Sequence, residues 1–148
     1  RYKILFPDTP VNDSTIIESD AGPLKMLTHM YESPKSSTDS NLVYGLIETE
    51  YPSKYFDSKD EHFSDNFFKG AVDGAVKQLN ANLIEVKTIE VNKNPGREVS
   101  IDYGGGVAII TMKMILIKTK FVTTQTISLK GKEINENAKR FFNSFEIK

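Results

Sequence analysis

Residues 107–118 are apolar on both alternating sets of positions, interrupted only by Thr111 and Lys113 before Lys118. In an extended strand successive side chains point to opposite faces. Both faces of this segment must therefore be hidden from water, which a sheet with one wet side cannot do. The stretch 42–49 makes the same demand, with Leu42, Tyr44 and Leu46 on one set and Val43 and Ile47 on the other. Any fold for this chain has to cover a sheet from two sides.

The cover is legible as helix. Phe63, Phe67, Ala71, Ala75 and Leu79 recur at i, i+4, and Phe68, Val72 and Val76 widen the stripe. Ser58 or Ser64 is the expected N-cap, with Asp60, Glu61 and Asp65 at the positive end of the helix dipole. Gly70 and Gly74 read as a small-residue strip that lets this helix lie close to the sheet. A second, shorter helix is expected over 133–142, with Ile134, Ala138, Phe141 and Phe142 inward. Further strands are expected over 2–6, 15–18, 24–31, 83–91, 97–103 and 121–129, and 143–147 extends again. The Thr-rich 121–129 segment reads as an adjacent, more exposed strand. A change of apolar phase between Val86 and Ile89 suggests a bulge. Asn94-Pro95-Gly96 is a turn signal, and Gly104-Gly105-Gly106 reads as a hairpin loop. The pattern predicts an α+β domain spanning 1–148, an antiparallel β-sheet flanked by helices on both faces as an α/β/α sandwich.

Composition narrows the chemistry. The 148 residues contain no cysteine and only His29 and His62 among histidines, which excludes disulfides, thiolate catalysis, Cys-ligated metals and His-rich metal sites. A formal net charge of -1 argues against nucleic acid as a partner. No apolar run approaches the roughly 18–20 residues of a membrane-spanning helix. Charge is uneven: residues 1–110 carry 11 basic and 17 acidic side chains, and residues 111–148 carry 8 and 3. The basic set (Lys113, Lys118, Lys120, Lys130, Lys132, Lys139, Arg140) could form a face for an anionic lipid surface or an acidic partner, but lysines at alternating strand positions read rather as wet strand and helix faces.

The segment order resembles the PsbP/DcrB-like superfamily, whose fold is shared with the Ran-binding nuclear import factor. The likeness rests on the opening strand ending in Phe6-Pro7, the central amphipathic helix and the Asn94-Pro95-Gly96-Arg97-Glu98 turn. It closes on Phe141-Phe142-Asn143-Ser144-Phe145 at the terminal helix. The resemblance implies a non-catalytic accessory or binding domain, of the type of an exported envelope lipoprotein anchored through a cysteine upstream of Arg1. It implies no cofactor and no metal, and no family site is carried over to this chain.

A metal site would need His29 and His62 to converge with Glu61 or Asp65, and nothing in their spacing requires it. The glycine run precedes a strand rather than a helix, so it is not a phosphate cradle, and no nucleophile-elbow motif is present. The expectation is therefore a monomeric non-enzyme whose partner is another protein or an envelope component. Tyr51, Tyr55 and Phe56, in a Pro-containing connection, are the expected partner-binding residues, with Asp57, Asp60 and Glu61 beside them. The same aromatics could instead pack as a loop cover. The alternative function is a small-molecule or lipid carrier, its cleft between the long helix and the sheet lined by Phe63, Phe67, Met112 and Met114. A hydrolase using His29 or His62 is the third reading.

Overall fold

The computed structural model describes residues 2–56 and 62–148. In chain order the elements are β1 (Tyr2–Lys3), β2 (Val11–Ser19), β3 (Gly22–Glu32), β4 (Asn41–Glu50), α1 (Phe63–Leu79), β5 (Asn82–Val91), β6 (Asn94–Tyr103), β7 (Ala108–Ile117), β8 (Lys120–Leu129), α2 (Glu136–Asn143) and β9 (Glu146–Ile147), with a 3₁₀ turn at Ser53–Phe56. Seven strands form one antiparallel sheet in the order β2-β3-β4-β8-β7-β6-β5, and β1 pairs with β9 in a separate two-stranded ribbon. The sheet is thus two meanders, β2–β4 and β5–β8, joined where β8 docks on β4. No helix among the described residues is long and apolar enough to cross a membrane.

α1 forms where the apolar stripe predicts it. It ends at Asn80, whose left-handed φ of 50° closes the helix. Its Phe68 and Val72 are buried against Val99 and Ile101 of β6 and Ile110, Met112, Met114 and Leu116 of β7. The Arg97 guanidinium lies 4.8 Å from the centre of the Phe68 ring and pairs with Asp65 of α1 at 2.5 Å. That contact ties the helix to β6. Ser64 is the second residue of the helix rather than its cap, and Ser58 lies outside the described residues, as do Asp57, Asp60 and Glu61.

The second face of the sheet is closed differently. Phe141 of α2 stacks on Tyr44 of β4 at 5.1 Å and on Phe6 at 5.3 Å, and Tyr2 meets Phe145 at 5.8 Å. The Leu5 N–H donates to Ser144 Oγ at 2.9 Å. The two chain ends therefore lie together over this face. The expected α/β/α sandwich does not form. Strand accounts for 52% of the structure, and the helices do not flank the sheet as a layer on each face. The apolar demand of β7 and β4 is real, but α2 has only eight residues. Aromatic side chains from the termini supply the cover that a second long helix was expected to give.

Four local expectations are corrected. β8 is the middle strand, not an exposed neighbour: Thr123, Thr124, Gln125 and Thr126 are all buried. Threonine's branched Cβ suits a strand on either face, so its polarity says little about position in the sheet. The β5–β6 turn falls at Asn92-Lys93, both with positive φ, as a two-residue hairpin requires. Pro95 and Gly96 already belong to β6, and Gly96 is needed because a Cβ there would stand 2.5 Å from the Met114 carbonyl oxygen. The β5 irregularity sits between Leu83 and Glu85. Ile134 is not inward but 83% exposed, because α2 starts only after its cap at Asn135.

Candidate functional site

α1 leans over β6 and β7 and leaves β8, β4 and β3 of the same face without a helix. The sheet register carries the open face across in rows. Met112 lies opposite Gln125, which lies opposite Gly45, which lies opposite Met30. The next rows are Met114–Thr123–Ile47–Thr28 and Leu116–Phe121–Thr49–Met26. Between these rows and α1 runs a groove of about 500 Å³. That lies within the roughly 300–1,000 Å³ of small-molecule sites. All four methionines of the chain fall on this face, and Met26, Met112 and Met114 line the groove. Methionine is unbranched and polarisable, so such a wall adapts to apolar guests of varied shape.

The helix wall of the groove is made of Gly70, Ala71, Gly74 and Ala75, with Gln78 and Leu79 toward the end of α1. A Cβ added at Gly70 or Gly74 would meet nothing within 4 Å. The expected close approach of helix to sheet is therefore absent at these glycines. The missing side chains leave open space instead.

The less buried Tyr51, Gln78 and Tyr103 also line this space, and three buried polar side chains open into it: Thr49, Thr123 and Gln125 are 5%, 7% and 9% exposed. Among the described residues none of the three makes a side-chain hydrogen bond within the protein. Polar groups in a buried setting ordinarily find partners. Here they face the groove.

Tyr51 stands at one end of the groove. Its N–H donates to the Thr119 carbonyl at 2.9 Å, which anchors the segment after β4 to the β7–β8 turn. Burial first, then the neighbouring Tyr55 and Asp20, push its hydroxyl above the ordinary phenol value. It is therefore a neutral donor at physiological pH. The structure brings all three expected partner-binding residues together. Tyr51 meets Tyr55 at 5.1 Å and Phe56 at 5.9 Å, and the cluster continues through Phe67 to Phe121. All three are half-buried. Tyr51 contacts the groove, with Tyr55 and Phe56 packed behind it on Phe63. Of the residues expected to line a cleft, Met112 and Met114 do. Phe63 and Phe67 belong to the aromatic cluster and not to the groove wall.

The other residues weighed from sequence go elsewhere. His29 Nδ1 lies 2.6 Å from Asn12 Oδ1 across β2 and β3, facing the N-terminal segment, while His62 immediately precedes α1. Among the described residues no three metal-ligating groups converge. Three of the seven basic residues noted in the C-terminal part are ion-paired with described residues. Lys130 pairs with Asp102 at 2.9 Å, Lys113 with Glu98 at 3.9 Å and Lys139 with Glu136 at 3.5 Å.

Two features escaped the sequence reading. One is the polar floor of the groove, for which the only signal was Gln125 amid Thr and apolar residues. The other is a buried network on the opposite face. Asn41 Nδ2 donates to Tyr44 Oη and to Asn135 Oδ1, both at 2.9 Å, and Asn41 Oδ1 accepts from Ser128 Oγ at 2.6 Å and Asn135 Nδ2 at 2.9 Å. Tyr44 in turn donates to Asp39 at 2.6 Å. Asn135 is the N-cap of α2, its Oδ1 accepting from the Ala138 N–H at 2.8 Å, so the network pins that helix to the sheet. Ninety-four residues separate Asn41 from Asn135, and no local pattern connects them.

No protein-family model and no curated protein matches this chain. Solved structures do. The chain shares its fold with PA94 from Pseudomonas aeruginosa, a protein of unknown function described as a candidate regulator. The TM-score is 0.52 at 12% identity, covering 81% of this chain and 85% of that one. It is also similar to the cyanobacterial PsbP protein CyanoP from Synechocystis sp. PCC 6803, with a TM-score of 0.48 at 13% identity over 95% of this chain and 93% of that one.

Proposed function

We propose that this chain is a non-catalytic binding domain that carries a small apolar molecule in the groove between α1 and the sheet. The observation that carries this reading is the groove itself. It is about 500 Å³, walled by methionines, and left open by glycine and alanine on the helix that covers it. A domain whose interior were solidly filled on this face would have no such use. Tyr51 is proposed as the ligand contact at one end, with Tyr55 and Phe56 holding its ring. This gives the aromatic segment a role in binding without making it a flat docking surface. The exported, lipid-anchored setting rests on the family resemblance and belongs to the same proposal, since an envelope is rich in apolar small molecules.

The test uses the neutral apolar dye N-phenyl-1-naphthylamine with the full chain. Saturable fluorescence enhancement at one site per chain is expected. Gly74→Leu, whose side chain would enter open space and fill the groove, should abolish it while circular dichroism stays unchanged. Dye binding that persists undiminished in folded Gly74→Leu would sink the proposal.

A further inference from the structure

This inference rests on the groove reading above and concerns the chemistry of the guest. We infer that the ligand enters the groove uncharged and is held by the Gln125 carboxamide through a carbonyl, amide or hydroxyl group. Neutral amphiphiles are thereby selected over anionic ones of the same chain length.

The first observation is the charge of the lining. Among the described residues that wall the groove there is no Lys, Arg, His, Asp or Glu. A carboxylate or phosphate drawn into this space would lose its water and meet no counter-ion, and an unpaired buried charge is costly. Any charged head would have to stay outside, leaving the polar floor unmet.

The second observation is that floor. Gln125 is 9% exposed, opens into the groove and has no hydrogen-bond partner among the described residues. Its carboxamide offers two donors and an acceptor, so it complements an amide, ester, ketone or alcohol. Thr123 and Thr49 add hydroxyls that donate or accept as needed. All of these groups are neutral, and neutral partners match neutral polar ligands without a charge to solvate.

The third is the room made for the anchor. Gly45 lies directly across from Gln125, and a Cβ there would come within 3.1 Å of Gln125 Cγ and 2.6 Å of Met30 Sδ. The bare glycine lets the glutamine and methionine side chains lie over β4. Gly45 is thus a positioning residue for Gln125.

Displacement of N-phenyl-1-naphthylamine by dodecanamide, 1-dodecanol and dodecanoate at neutral pH tests the inference on the intact chain. Dodecanamide and dodecanol should displace the dye at concentrations about tenfold or more below dodecanoate. Dodecanoate should gain as pH is lowered into its own titration range. Gln125→Leu should weaken dodecanamide by about tenfold relative to the dye measured in the same variant, the loss of one hydrogen bond. Gln125→Met, closer in shape to glutamine, replaces that variant if it does not fold. Saturable dye binding that Gly74→Leu abolishes, together with equal displacement by dodecanoate and dodecanamide, overturns this inference alone. So does a preference for dodecanamide that survives in both folded Gln125 variants. Absence of saturable dye binding, or dye binding untouched in Gly74→Leu, overturns the groove reading and this inference with it.

Discussion

The two faces of the sheet treat buried polar groups in opposite ways. On the face closed by the chain ends, Asn41 satisfies all four hydrogen-bonding positions of its carboxamide within the protein. On the face beneath α1, Gln125 is 9% exposed against 0% for Asn41, and none of its carboxamide positions is met by a described residue. Both side chains lie on adjacent strands of the same sheet, β4 and β8. The difference is in what covers them. Phe141, Tyr44 and the Asn135 cap fill the first face, and glycines and alanines of α1 stand back from the second. The closed network pins α2 to the sheet, whereas the open carboxamide is the one assigned to the proposed ligand. The Thr126 and Tyr2 hydroxyls, buried on the closed face without a partner among the described residues, are exceptions there.

That contrast can be broken from either side. The largest effect is expected at the closed face. Phe141→Ala removes a 2%-exposed ring that touches Tyr44 and Phe6. It should cost about 3–5 kcal/mol in urea unfolding. Asn41→Ala should follow. It leaves Ser128, Asn135 and Tyr44 short of partners at about 1–3 kcal/mol for each group not rescued by water. By contrast Gln125→Leu, on the open face, should change stability little, because no protein partner is orphaned. A loss from Gln125→Leu as large as that from Asn41→Ala would erase the distinction between the faces.

A smaller effect sharpens the comparison from the helix side. Gly70→Ala and Gly74→Ala add methyl groups where nothing lies within 4 Å. Each should stabilise by about 1 kcal/mol through helix propensity, read as a rise in thermal midpoint. Destabilisation would mean that the helix packs more closely than the groove allows.

The smallest effect is in pH. Burial first, then the hydrogen bond to Asp39, raises the Tyr44 hydroxyl above its ordinary value, and burial raises Tyr51 likewise. A folded-state value above the unfolded one means the stabilisation is complete below the unfolded phenol value of about 10. It is lost as pH rises from there toward the folded value. Stability should therefore fall in the alkaline range, and the slope should shrink in Tyr44→Phe and again when Tyr51→Phe is added. An alkaline slope identical in the wild type and the double variant would overturn this.

The legible parts share one property: their signal is local. The stripe from Phe63 to Leu79 marks α1 because the 3.6-residue period is written into adjacent turns, although its start was not legible and Ser64 lies inside the helix. The two-sided apolar strands 107–118 and 42–49 called for cover on both faces; β7 lies beneath α1, but β4 borders the open groove and no helix layer flanks each face. The misread turn at Asn94-Pro95-Gly96 was also local, but two explanations competed for the same glycine. Gly96 serves the close approach of the Met114 carbonyl, and Asn92-Lys93 makes the turn although neither is glycine.

What the residues alone determined is therefore the set of elements: the long helix, the run of strands, the terminal aromatic helix, and a chemistry without thiolates or a His-rich metal site. Tertiary structure decided which strand lies in the middle, what closes each face, and which of two buried carboxamides was left open. Those outcomes depend on pairing between segments far apart in the chain, Asn41 with Asn135 and β8 with β4. They depend also on the lean of α1 toward β6, fixed by Arg97, Asp65 and Phe68. Periodicity reports which side of an element is apolar. It carries no information about which partner will meet that side, or whether the partner will fill it.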